Sequence, residues 1–200
     1  MLQSAPRAAQ VERKTRETAV SVTLGLDGSG DSRVHTGVPF LDHMIESFSR
    51  HGFFDLTVAA SGDLHIDEHH TVEDVGIVIG RAFRNALGDR SGIRRFGQAT
   101  VPLDEALCTA VVDISGRAYL AYNLTIAQER VGNFQTVLVH DFMKALSDEV
   151  GMNLHLTLHE GRNPHHIIEA AFKSLARAMD QATAIEPRLS GALSTKGTLS

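Results

Sequence analysis

The pattern His-His-x-x-Glu occurs twice in this chain, as His69-His70-Thr71-Val72-Glu73 and as His165-His166-Ile167-Ile168-Glu169. A third histidine precedes each copy, His43 by 26 positions and His140 by 25. Imidazole nitrogen and carboxylate oxygen without sulfur suit borderline divalent cations. On a helix, residues four apart share a face, which puts His69 with Glu73 and His165 with Glu169. The adjacent His70 and His166 lie about 100° round the axis. Each copy therefore offers ligands in two directions, and two ions can each be held by both copies. Six imidazoles and two carboxylates, divided evenly, give each ion three His and one Glu. Zinc would close such a site as a tetrahedron. A six-coordinate ion such as Mn²⁺ or Fe²⁺ would keep two positions open for substrate. Ligand identity alone leaves that choice open. His35, His65, His155 and His159 have no duplicated partner and read as structural.

Cations form a second set. Arg94 and Arg95 lie in GIRRFG (92–97), and Arg117 follows a Ser-Gly turn. Lys173 is four residues beyond Glu169, on the face of His165 and Glu169. Ser194, Thr195 and Lys196 combine two hydroxyls with a charge. Together they are suited to hold a phosphate by charge-assisted hydrogen bonds. No P-loop or dinucleotide glycine fingerprint is present, so such a phosphate belongs to a substrate and not to a nucleotide cofactor.

The elements that must carry these groups follow from periodicity. In the first half, alternation predicts strands at 18–26, 33–36 and 55–60. Helical spacing of Phe40, Leu41, Met44, Ile45 and Phe48 predicts a helix that Gly52 stops. A second helix is expected over 71–87, capped by Asp67. In the second half, strands are expected at 107–114, 118–124 and 153–158. A helix over 137–150 ends at Gly151, and another opens at Asn163-Pro164 and runs to about 182. Each half reads strand-strand-helix-strand-helix. The expected class is α+β by tandem duplication, with sheets packed against helices. Glu17 stands eleven residues before Gly28, and Glu105 eleven before Gly116. Residues 1–12 are expected as a disordered arm, 13–93 as the first repeat and 94–190 as the second. The two repeats form one catalytic domain, with 191–200 as a tail.

Composition sets the class around these motifs. The chain has 200 residues, 42% hydrophobic and 22% charged, as a single globular domain requires. No apolar run approaches the length of a membrane span, and the N-terminus has no signal-peptide core. Net charge is -5, which excludes a basic nucleic-acid footprint or a polybasic membrane patch. The single cysteine, Cys108, excludes a disulfide framework and reads as a small core residue. The expected location is the cytoplasm.

Six segments together, HTGVPFLDHM (35–44), DEHHTVEDVGI (67–77), GIRRFG (92–97), VDISGR (112–117), PHHIIEAAFK (164–173) and STKG (194–197), resemble the imidazoleglycerol-phosphate dehydratase family. The resemblance runs from about Arg13 to Gly197. It implies dehydration of imidazole glycerol phosphate to imidazole acetol phosphate in histidine biosynthesis, through an imidazolate and a diazafulvene. It implies two Mn²⁺ ions per active site, one held by His43, His70, His165 and Glu169 and the other by His69, Glu73, His140 and His166. It implies substrate contacts from Glu17, His51, Arg95, Arg117, Lys173, Ser194, Thr195 and Lys196, with Glu17 in proton transfer. It also implies a homo-oligomer of 24 subunits with active sites between chains, and no phosphatase domain. Leu193 stands where family members commonly have proline. Two other readings fit the residues: a binuclear metallohydrolase of a phosphorylated small molecule, and a metal-storage shell.

Overall fold

The computed structural model describes residues 6–199. Its first sheet has the strands β1 (Ala8–Lys14), β2 (Thr18–Gly25), β3 (Ser32–His35) and β4 (Asp55–Gly62), in the spatial order β1-β2-β4-β3. Its second has β5 (Phe96–Leu103), β6 (Ala106–Asp113), β7 (Tyr119–Asn123) and β10 (Asn153–Glu160), in the order β5-β6-β10-β7. In each, three strands are antiparallel, and the last joins by parallel pairing, β3 to β4 and β7 to β10. The strands β8 (Arg130–Val131) and β9 (Phe134–Gln135) form a separate hairpin. The helices are α1 (Pro39–Gly52), α2 (His69–Leu87), α3 (Leu138–Val150) and α4 (Pro164–Thr183).

The four helices lie between the sheets. Helix α2 covers β1 and β2, and α4 covers β5 and β6. Helix α1 packs on β3 and α3 on β7, while α2 meets α3 and α1 meets α4. Exchanging the halves exchanges these contacts, so the duplication is a pseudo-two-fold arrangement. Each helix buries the apolar stripe read from the sequence: Leu41, Met44, Ile45 and Phe48 on α1, and Val72, Val75, Ile79 and Phe83 on α2. Phe54 joins this core, edge-on to Phe83 with ring centroids 4.9 Å apart. Cys108 is fully buried, and burial pushes its thiol up to about 12.

Several expectations need correction. The residues expected as a disordered arm form strand β1 from Ala8 onward, and residues 1–5 lie outside the described part. Val11 is the only large apolar residue in this strand, so the alternation signal is weak. Pairing from Ala8 with Gly25 to Lys14 with Ala19 holds it instead, as does an ion pair from Arg13 to the buried Asp74 on α2. Charges on an outer strand also discourage edge-to-edge association. Its counterpart β5 was not expected either, because Gly97 and Pro102 interrupt the pattern. Each half is therefore strand-strand-strand-helix-strand-helix. Helix α1 includes Gly52, and the left-handed cap is Phe53, with φ of 58°. A Cβ on Gly52 would lie 2.4 Å from the Phe54 ring, so the glycine serves packing and not the turn.

Gly97 is where β5 presses closest on α4. A Cβ there would lie 1.8 Å from the carbonyl oxygen of Ala178. Gly97→Ala should therefore destabilise the chain by about 1–3 kcal/mol or more, since neither backbone can yield cheaply. Urea denaturation of the metal-free protein measures this, and an unchanged midpoint would contradict the packing described.

Candidate metal centre and substrate pocket

Both His-His-x-x-Glu copies sit in the first turn of a helix, started in the same way. The Asp67 carboxylate accepts from the His69 N–H at 2.9 Å, and the Asn163 side chain accepts from the His165 N–H at 2.9 Å. These short polar side chains satisfy backbone donors that a helix start leaves free. Asp67, expected as the cap of α2, bonds the first N–H of the helix from one residue before the N-cap position, which is Glu68, and the helix begins at His69 and not at Thr71.

The packing of α1 on α4 brings His43 to the second copy. His165 Nε2 lies 3.1 Å from Glu169 Oε2, and His43 Nε2 lies 3.6 Å from the same oxygen. Their ligand atoms all fall within 4.8 Å of one another. Two imidazole nitrogens and one carboxylate oxygen converging on one point suit a divalent cation. Lys173 Nζ is 2.8 Å from the other Glu169 oxygen. Burial disfavours the charge on Glu169, but Lys173, His43 and His165 outweigh it and hold the carboxyl below its ordinary value. His51, at the end of α1, is lowered by burial and then by Lys173.

The packing of α2 on α3 makes the pseudo-equivalent group. His69 Nε2 lies 3.7 Å from Glu73 Oε2, and its Nδ1 lies 3.2 Å from Asp141. The other Asp141 oxygen is 3.3 Å from His140 Nδ1. Asp141 thus links the two histidines, though these ligand atoms converge less closely than those around Glu169. His70 and His166 stand apart from both groups, as the 100° rotation requires. His70 Nδ1 is 3.0 Å from Asp63, and His166 Nδ1 is 2.7 Å from Glu105. The first expected set is therefore present as three residues together with His70 elsewhere, whereas in the second His69 lies beside Glu73, reaches His140 only through Asp141, and has His166 elsewhere.

The expected substrate contacts divide likewise. Arg95, Arg117, Leu193, Ser194, Thr195 and Lys196 line one open pocket, which none of the metal-ligand candidates enters. Arg95 grips Asp113 through two nitrogens, at 2.6 and 3.0 Å, and donates to the Leu193 carbonyl at 2.8 Å. It therefore anchors the tail. Arg117 and Lys196 have no carboxylate partner among the described residues. Lys173 and His51 lie instead beside Glu169, and Glu17 lies within electrostatic reach of His70. Sequence reasoning missed Asp63 and Asp141 as partners of the histidines. It noted Glu105 only as the counterpart of Glu17.

A sequence model of the imidazoleglycerol-phosphate dehydratase family matches residues 36–179. The imidazoleglycerol-phosphate dehydratase of Pelobacter propionicus is 54% identical over 193 residues, covering 96% of this chain and 99% of that protein. That of Halalkalibacterium halodurans is 53% identical, covering 96% and 100%. Among solved structures, imidazoleglycerol-phosphate dehydratase from Staphylococcus aureus matches with a TM-score of 0.81 at 37% identity, over 90% of this chain and 99% of that one. The Pyrococcus furiosus enzyme, solved in complex with (S)-C348, matches with a TM-score of 0.82 at 34% identity, over 94% and 100%.

Donating to the carboxylates of Asp63 and Glu105 raises His70 and His166 above their ordinary value despite desolvation. Glu105 is held at about 2, chiefly by His166 and then by the Asn163 N–H. Only neutral imidazole ligates a metal, so proton and cation compete for these rings. A raised value in the free chain means that this competition begins at a higher pH than for an unperturbed imidazole. A divalent cation bound through these rings should therefore lose affinity as pH drops from 8 to 6, by roughly tenfold per unit for each ligand that protonates. Calorimetric titration across that range checks this, and an affinity independent of pH would contradict it.

Proposed function

This chain belongs to the imidazoleglycerol-phosphate dehydratase family, and from that premise we propose that it converts imidazole glycerol phosphate to imidazole acetol phosphate and water in histidine biosynthesis. The observation that carries the reading is the doubled site, in which each group of ligands is drawn from a helix of either half. The hydrolase and storage readings gain no support from the relatives, which share one activity over nearly the whole chain. Storage would also leave the cationic tail pocket without a purpose.

The donor set fits two borderline divalent ions, and we take them to be Mn²⁺. Three residues converge with a geometry suited to an ion, and their chemistry is nitrogen and oxygen without thiolate. His43, His165 and Glu169 with His70 would hold one, and His69, Glu73 and His140 with His166 the other. A divalent ion bound there acts as a Lewis acid toward an imidazole nitrogen of the substrate. Arg117, Lys196 and the hydroxyls of Ser194 and Thr195 bind the phosphate at the far end of the substrate. Arg95 holds the tail that carries them. Fixing both ends orients the reacting carbons, which contributes several kcal/mol to lowering a barrier. The carbon–oxygen bond beside the ring breaks, the hydroxide leaving as water with the proton the ring gives up, and the next carbon loses its own proton. Glu17 takes that proton, and the resulting enol becomes the ketone.

His70 and His166 are held at Asp63 and Glu105, outside the groups they would complete, and we infer that a second copy of the chain supplies the missing imidazole. The same argument favours a closed assembly, which we propose to be of 24 subunits with active sites between chains. Its location is proposed as the cytoplasm, and no helix is long and apolar enough to cross a membrane.

Metal-depleted protein supplied with imidazole glycerol phosphate should form ketone only after Mn²⁺ is added. No product with metal bound would remove the dehydratase reading. Glu17→Gln should lower turnover by about 10²–10⁴-fold, the usual worth of a positioned base, while binding of ions and substrate persists. Near-normal turnover would free Glu17 from that role. Because ions that bridge chains favour assembly by mass action, chelation should shift size-exclusion elution toward smaller species. An unchanged large assembly after verified metal removal would contradict bridging.

A further inference from the structure

The two halves solve one problem in different ways. The outlying imidazoles, His70 and His166, occupy equivalent places at the starts of α2 and α4. Each is tied through Nδ1 to a carboxylate, but the carboxylates are not equivalent. Strand pairing aligns Gly25 with Asp55 in one half and Asp113 with Asn153 in the other. Strands β2 and β6 are both eight residues long, so Glu17 and Glu105 hold the same position just before them. Gly62 and Gly161 also correspond. A Cβ on Gly62 would meet Thr71 Oγ1 at 2.1 Å, and one on Gly161 would meet Ile167 Cγ1 at 2.6 Å, the same place on the two helices. A register shift between Leu158 and Glu160 accounts for the extra residue in β10. The residue after the glycine is Asp63 in one half and Arg162 in the other.

An arginine cannot accept from an imidazole N–H. In the second half Glu105 does so, with Oε2 on His166 at 2.7 Å and Oε1 accepting from the backbone N–H of Arg162 and Asn163 at 3.1 and 2.7 Å. In the first half Asp63 does so, with a side chain only 12% exposed. Glu17, whose charge acts on His70 from a distance, makes no side-chain hydrogen bond or ion pair among the described residues.

We propose that Asp63 and Glu105 are positioning residues, one in each half, that fix the rings of His70 and His166 and leave Nε2 of each to ligate an ion. By taking His70, Asp63 releases Glu17 from the task its counterpart performs. A protein doubled for two ions thereby keeps one uncommitted carboxylate for proton transfer, where strict symmetry would give two or none. A carboxylate on the far nitrogen of a ligating imidazole fixes its tautomer and strengthens it as a donor. This inference rests on the two-ion reading above.

The test titrates Mn²⁺ into the demetallated full-length protein and follows the free ion by electron paramagnetic resonance. Wild type should bind two ions per chain. Asp63→Ala should weaken one of them by about 10–100-fold, the usual loss when such a partner is removed. Glu105→Gln, which keeps an oxygen for the Arg162 and Asn163 N–H groups, should weaken the other. Asp63→Asn still offers an oxygen to Nδ1 and should recover most of the loss, which a merely structural effect would not do. Glu17→Gln alone should leave both affinities unchanged, but in the Asp63→Ala background it should weaken the first ion further, because Glu17 then becomes the nearest partner of His70. Two ions bound at wild-type affinity by folded Asp63→Ala and Glu105→Gln would overturn the positioning role. Loss of ion affinity on Glu17→Gln alone would overturn the release of Glu17. A wild-type chain that binds no Mn²⁺ would instead remove the two-ion reading, and this inference with it.

Discussion

Neighbouring residues on a helix point about 100° apart, and two histidines side by side at a helix start cannot serve one ion. This angle governs the rest of the structure. It sends His69 toward Glu73 and His70 away toward Asp63, and it does the same to His165 and His166. A chain built this way makes two groups of ligand candidates and sets two imidazoles apart from them, His70 bonded to Asp63 and His166 to Glu105. On the two-ion reading proposed above, each group is completed by an imidazole from another copy of the chain, which would make ion binding, assembly and catalysis one problem.

The fold is suited to that problem. Asp67 and Asn163 start both helices two residues ahead of the critical imidazole, so the histidine pairs sit on rigid first turns. The contacts α1 with α4 and α2 with α3 bring His43 and His140 across from the other half. Each partial site therefore forms only when both halves fold together, which joins the two repeats into one unit. The sheets, facing outward on either side, supply the surface on which the helices pack. The strand ends carry the groups that break the symmetry: Asp63 after β4, Glu105 before β6, and Glu17 before β2. The charge on Glu169 shows how the surroundings set the chemistry of one ligand. Burial works against that charge, and Lys173 with two imidazoles restores it.

Much of this was legible in the sequence, because the strongest signals were repeated ones. The doubled motif, the helical stripes of Leu41 to Phe48 and Val72 to Phe83, and the start at Asn163-Pro164 all depend on local spacing. The first strand of each half was not legible. Val11 stands nearly alone among charged residues, and Gly97 with Pro102 breaks the alternation of β5, so pairing to a neighbour decides both. Six of the eight ligand candidates followed from the doubled motif and His43 and His140 from their matching spacing, but which of them come together needed tertiary packing. Asp63 and Asp141 carry no motif of their own, and their roles appear only where strands and helices meet. The shift of the helix end from Gly52 to Phe53 has the same origin, since the close ring of Phe54 and not the turn requires the glycine.

The measurement that tests the central claim most directly is anomalous scattering at the manganese edge from crystals of the Mn²⁺-loaded protein. The account predicts two peaks per chain, the first among His43, His165 and Glu169 of one copy and His70 of a neighbour. The second should lie among His69, Glu73 and His140 of one copy and His166 of a neighbour. Four ligands from a single chain at either peak would contradict it, as would two ions about 3.5–4 Å apart in the manner of a binuclear hydrolase.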